Sequence, residues 1–148
     1  MEPPRSAEQR KRDTLARLER DQDAWVASAD ADGTPYLVPL SYLWDGTTLT
    51  MATLEASPTG RNLRASGRVR LAIGQTRDVV LITGSVEAFS RESVPAELAD
   101  AFAAKLWDAR RSKPPYAFFR ITPQRIQAWR EENELAGRDL MLDGRWLA

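Results

Sequence analysis

Residues 50–73 read TMATLEASPTGRNLRASGRVRLAI. This stretch decides the fold, because it runs from a strand end through a short loop and one brief helix into a new strand. Thr48 to Thr53 alternates polar and apolar, as a half-buried strand does. Ser57-Pro58 is a helix start: Ser57 is able to cap, and Pro58 at the first helical position lacks an N–H where none would be used. Leu63 gives the helix one inward contact and Gly67 ends it. Val69, Leu71 and Ile73 then alternate into the next strand.

Charge sets this stretch apart. Arg61, Arg64, Arg68, Arg70 and Arg77 fall between Thr59 and Arg77 with no acid among them, in a chain whose net charge is +0. A helix N-terminus offers unpaired N–H groups and a partial positive charge, which together suit a phosphate. Thr53, Ser57, Thr59 and Arg61 would add side-chain donors at the same point. The plainer alternative is an arginine-rich surface helix that keeps the protein in solution.

A length of 148 residues predicts one domain with a sizeable core. No apolar run approaches the roughly 20 residues of a membrane span, so no membrane association and a cytoplasmic location are expected. The chain has no Cys and no His. That excludes thiol nucleophiles, Ser-His-Asp machinery, disulfides, thiolate or imidazole zinc sites and His- or Cys-ligated haem. Carboxylates, Lys, Tyr and hydroxyls remain, or a cofactor that does the hard step itself. Balanced charge argues against nucleic acid as a partner. So does the Thr59–Arg77 run, which holds no aromatic residue on which a base would stack.

Working outward, residues 1–5 read as disordered. Ser6-Ala7-Glu8-Gln9 is a capping box opening a helix to about Asp21. Its apolar side is only Ala7, Leu15 and Leu18, which predicts a surface helix with Arg10, Lys11 and Arg12 solvated. Strands follow at 25–29, 36–44 and 48–53, the last two joined by an Asp45-Gly46 hairpin turn. Pro39 cannot donate to a ladder, so it marks an edge, a bulge or a ligand. Strands at 69–75 and 78–89 pair next, with Gly84 suggesting a bulge. Val94, Leu98, Ala101, Phe102 and Leu106 make one helical stripe. Strands at 116–121 and 125–130 flank Thr122-Pro123, and 131–148 is a tail docking on the barrel or on a dimer partner. The expectation is one domain spanning 1–148, with 1–21 a tail and surface helix and 24–130 the barrel. It is mainly β (α+β): a six- to seven-stranded antiparallel split β-barrel with two to three peripheral helices.

With the strands laid out, the chain resembles the pyridoxamine 5'-phosphate oxidase-like family of flavin-binding split β-barrels, which includes F420-dependent reductases. The resemblance rests on Asp32-Gly33-Thr34-Pro35, Val38-Pro39-Leu40-Ser41, Trp44-Asp45-Gly46, Thr53, Arg61-Asn62-Leu63 and Arg68-Val69-Arg70-Leu71 in that order and spacing. It implies a homodimer that binds FMN or F420 in grooves at the interface and passes a hydride to or from a small-molecule substrate. By that resemblance Val38, Pro39, Leu40 and Ser41 run beside the ring system. Thr53, Ser57, Thr59, Arg61 and Asn62 lie around the phosphate, and Trp129 is a candidate wall of the groove. No catalytic side chain is assigned.

Thr59 stands where members commonly carry a basic residue, and Pro58-Thr59 replaces the oxidase's Arg-Lys pair. The oxidase's C-terminal substrate region with its Arg and His is missing, so oxidation of pyridoxamine phosphate is not expected. Two further readings are a flavin-nucleotide carrier or sensor without turnover, and a dimeric split barrel that has lost its cofactor.

Overall fold

The computed structural model describes all 148 residues. Helix α1 (Ala7–Arg20) precedes strands β1 (Asp23–Ala29), β2 (Pro35–Ser41), β3 (Leu43–Trp44) and β4 (Leu49–Leu54). Helix α2 (Pro58–Ser66), strands β5 (Arg68–Gln75) and β6 (Asp78–Phe89) and helix α3 (Ala96–Lys105) follow. Then come β7 (Tyr116–Trp129), β8 (Asp139–Leu142) and β9 (Arg145–Trp146). The main path is β2-β1-β5-β6-β7-β4-β3, with every pairing antiparallel.

The two ends of that path, β2 and β3, are separated in sequence by Tyr42 alone. A sheet whose first and last strands are neighbours along the chain has to roll round on itself, which gives the expected split barrel. Its interior is filled by residues such as Val26, Met51, Leu71, Ile82, Phe119 and Ile121. A smaller core lies under α3, where Phe102 and Phe118 meet edge to face. The apolar stripe of α3 buries Leu98, Ala99 and Phe102, while Ala101 is exposed.

Tyr42 breaks the strand expected over 36–44. Its ring is fully buried, its hydroxyl donates to the Leu18 carbonyl at 3.1 Å, and Lys105 lies 4.8 Å above it. Burial pushes the Tyr42 phenol up and the Lys105 ammonium down. Thr122-Pro123, by contrast, does not interrupt β7. Pro123 faces Gly84 where the β6–β7 register shifts, and it lies between the part of β7 paired with β4 and the part paired with β8. The missing N–H therefore falls where the ladder is already irregular. A Cβ on Gly84 would meet the Ile121 Cγ2 atom at 2.7 Å, so the bulge needs glycine.

The N-terminus departs most from expectation. Helix α1 is a core element, with Leu18 fully buried and Thr14 and Arg10 nearly so. Arg10 is not solvated: its guanidinium donates to the carbonyls of Ala128, Glu134 and Gly137 at 3.0–3.1 Å. Residues 1–5 are not loose either, because Arg5 grips the Glu134 carboxylate at 2.8 and 3.0 Å and Asp13 at 3.0 Å. The 131–148 segment holds Glu134 and then forms the β8–β9 hairpin, which pairs with β7 through Ile126 and Met141.

Hydrogen bonds from the Arg5 guanidinium, opposed in part by burial, hold the Glu134 carboxyl at about 2 against an ordinary value of 4.5. A carboxyl depressed on folding stabilises above its unfolded value and loses that contribution as pH falls through the folded one. The contribution at neutral pH is about 3 kcal/mol. Arg5→Ala should therefore lower the denaturation midpoint at pH 7 and flatten the wild-type loss of stability between roughly pH 4.5 and 2. Denaturant melts across that range check this, and identical profiles for the two proteins would contradict it.

Candidate functional site

The helix start read from the sequence is built as its residues dictate. Ser57 caps α2 in extended conformation: its Oγ accepts the Gly60 N–H at 3.0 Å and donates to the Leu54 carbonyl at 2.8 Å. Pro58 occupies the first turn, and Gly67 closes the helix in the left-handed region at φ 65°. Gly60 matters most for geometry. A Cβ there would sit 2.5 Å from the Leu54 carbonyl oxygen and 3.0 Å from that of Glu55, so only glycine lets the helix seat against the end of β4. The sequence signal was a glycine inside a very short helix, which costs helix propensity unless a close approach requires it.

Helix α2 packs across β1, β2, β4 and β6. Asn62, buried at 8% exposure, fixes it to β1 by donating from Nδ2 to the Ser28 Oγ at 3.1 Å. This places the start of α2, Thr53 at the end of β4 and strand β2 in one neighbourhood. Along β2 the side chains alternate. Val38 and Leu40 are half-buried against the main core, whereas Pro39 is exposed opposite Trp25. Ser41 donates to Asp23 at 2.6 Å. Because β2 ends the sheet path, its outer edge is free and Pro39 is tolerated there. Trp25 at 51% exposure and Leu37 at 60% continue the exposed face with Pro39, making an apolar outer surface.

Two expected residues are placed differently. Thr59 is 2% exposed, and its Oγ1 is buried without a hydrogen-bond partner. Trp129 is half-buried beside Val79, with Arg138 5.9 Å from its ring. It closes β7 at the end opposite Tyr116 and Ala117, which pair with Leu54 and Thr53 just before α2. One protomer does not bring it to the start of α2.

The remaining donors are partly committed. Arg61, exposed, turns back onto the Ala56 carbonyl, and Arg64 pairs with the Glu55 carboxylate at 3.1 Å. A groove of about 490 Å³ opens here between the β4–α2 loop and the Pro114-Pro115 turn, walled by Leu54, Ala56, Ser57 and the two prolines. The sequence reading missed those prolines and the Glu55–Arg64 pair, since neither has a local signature. The donor chemistry fits a phosphate monoester held by Arg61 at the positive end of the α2 dipole, beside the Gly60 cradle.

An orphaned buried hydroxyl costs about 1–3 kcal/mol. Thr59→Val should thus raise the melting temperature and leave the affinity for a phosphorylated ligand unchanged. A thermal melt with a parallel ligand titration checks both, and a loss of affinity would place the hydroxyl in the site after all.

Comparison with known proteins agrees with this architecture. No curated protein matches the chain. Among solved structures, HutZ, described as a haem storage protein of Vibrio cholerae, superimposes with a TM-score of 0.70 at 13% identity, covering 80% of this chain and 93% of the other. An FAD-binding protein from Mesorhizobium loti gives 0.61 at 23%, covering 78% and 89%. An F420 reductase gives 0.57 at 23%, covering 75% and 93%. Likeness at these identities speaks to the fold alone. The sequence profile described as pyridoxamine 5'-phosphate oxidase matches residues 11–130, and the chain belongs to that family.

Proposed function

We propose that this protein is a flavin- or deazaflavin-dependent oxidoreductase that binds FMN or F420 at the start of α2 and acts on a small molecule. The observation that carries the reading is the meeting of a capped, glycine-cradled helix start with a free strand edge beside it. The F420 reductase and FAD-binding neighbours support the cofactor class. Haem storage, the description of the Vibrio cholerae neighbour, is not carried over, because this chain lacks the His and Cys that most often ligate haem iron.

In this reading Arg61 swings from the Ala56 carbonyl to the phosphate, and the α2 dipole adds partial positive charge at the helix start. The unpaired edge of β2 at Val38 to Ser41 offers backbone donors and acceptors to a flat ring. Leu37, Pro39 and Trp25 keep water from it. The bound cofactor supplies hydride chemistry that the side chains cannot.

The working unit is a homodimer. Its exposed apolar outer face needs a cover, and Trp129, at the opposite end of β7 from the residues paired with Thr53 and Leu54, reaches such a site only from a second copy.

Titration of the purified protein with FMN and with F420, followed by absorbance and fluorescence, tests the proposal. Saturable binding of one, weakened about tenfold in Arg61→Ala, and its reduction or oxidation by added redox partners would support it. Tight binding without redox turnover would make the protein a carrier. Binding of neither would remove the cofactor reading.

A further inference from the structure

Of the eighteen arginines, all but Arg68, Arg70 and Arg145 bring a guanidinium nitrogen within hydrogen-bond or ion-pair distance of a protein oxygen. Two of those three lie in one groove. Arg68 and Arg70 point to the outer face of β5 two residues apart, about 7 Å along the strand. The groove between them is about 510 Å³, lined also by Ala27, Ala29, Ser66 and Thr83.

The register explains why the pair is left bare. Arg70 stands between Ala27 of β1 and Thr83 of β6, and Arg68 stands opposite Ser85. None of these carries a charge. Elsewhere the sheet gives its cations acids to meet: Arg120 reaches Glu87 at 2.6 Å and Arg125 reaches Asp139 at 3.0 Å. Asp30 also lines the groove. Its Oδ1 accepts the N–H groups of Asp32 and Thr34, both at 2.9 Å, within its own turn and forms no ion pair with either arginine. Two like charges side by side above small residues repel one another unless an anion lies between them.

We infer that this groove is a binding site for a small polyanion, a ligand whose two negative groups are spaced to meet Arg68 and Arg70, with the Thr83 hydroxyl as a further donor. Carboxylate and phosphate share this chemistry. The site lies at the far end of α2 from the candidate cofactor phosphate, about 13 Å along a nine-residue helix. The inference goes beyond the cofactor reading and stands on the groove alone.

Isothermal titration of the full chain at low ionic strength, with citrate and with tripolyphosphate as probes, tests it. At least one probe should bind saturably, and which one binds more tightly identifies carboxylate or phosphate as the preferred group. Affinity should fall about tenfold for each arginine removed in Arg68→Gln, Arg70→Gln and the double variant, and should fall steeply with added salt. Arg145→Gln should bind as the wild type does. Both positions are exposed and make no side-chain bonds, so the variants should melt like the wild type. Absence of binding by either probe, or equal binding by the double variant, would overturn the site. A double variant that shifts the monomer–dimer equilibrium, with no probe bound by the wild type, would make the groove a protein contact and overturn it as well. FMN and F420 titrations of the double variant keep the two readings apart, because loss at this groove leaves binding at Arg61 in place.

Discussion

Strand β7 is shared by almost everything else in the molecule. Over fourteen residues it pairs with β6 along its length, with β4 over its first half and with β8 near its end. Near its start Phe118 enters the small core under α3, while Ala117 and Phe119 enter the main core. A strand buried on both faces and paired on both edges cannot be moved without moving its partners, so β4 and the loop after it inherit its position. Helix α2 is fixed at the end of that line, by the Gly60 contact with the Leu54 carbonyl on one side and the Asn62–Ser28 bond on the other. The candidate site is therefore rigid at its helix and open at the edge strand β2, a combination suited to holding a planar ligand against a free backbone edge.

The charged residues divide into two populations. One group is structural: Arg5, Arg10, Asp13 and Glu134 close the N-terminus over the C-terminal segment with bonds that are largely shielded from water. The other is available: Arg61, exposed and resting on a carbonyl, and Arg68 and Arg70, resting on nothing. Formal neutrality hides this difference, since acids such as Glu134, Glu87 and Asp139 each meet a cation while Arg68 and Arg70 meet none.

What was legible beforehand follows the same division. Local backbone chemistry was readable: Ser57 as a cap, Gly67 in the left-handed region, Gly46 in the hairpin at φ 99° and Gly84 at a bulge all stand as their residue types imply. A mainly β antiparallel barrel of six to seven strands with two to three helices was readable from alternation and stripes; the strand order, the break at Tyr42 and the β8–β9 hairpin were not. Arg5 and Arg10 were not, because their partners are carbonyls and a carboxylate more than a hundred residues away. Helical periodicity treats a buried, carbonyl-bound arginine as a solvated one. Pro123 read as a break because a proline in a strand is costly only where its N–H is needed, and that depends on the neighbouring strands. Thr59 illustrates the same limit at the site: its position before Asn62 was clear, but its inward turn follows from how α2 is seated.

We propose that the start of α2 and the edge of β2 form one binding surface. Hydrogen–deuterium exchange of the protein with and without FMN, and with and without F420, measures it directly. Added protection is expected in the peptides covering 36–41 and 53–62 with one of the two cofactors, joined by the peptide covering Trp129 as the wall supplied by a second copy. Exchange unchanged across 53–62 while a cofactor is bound would contradict it.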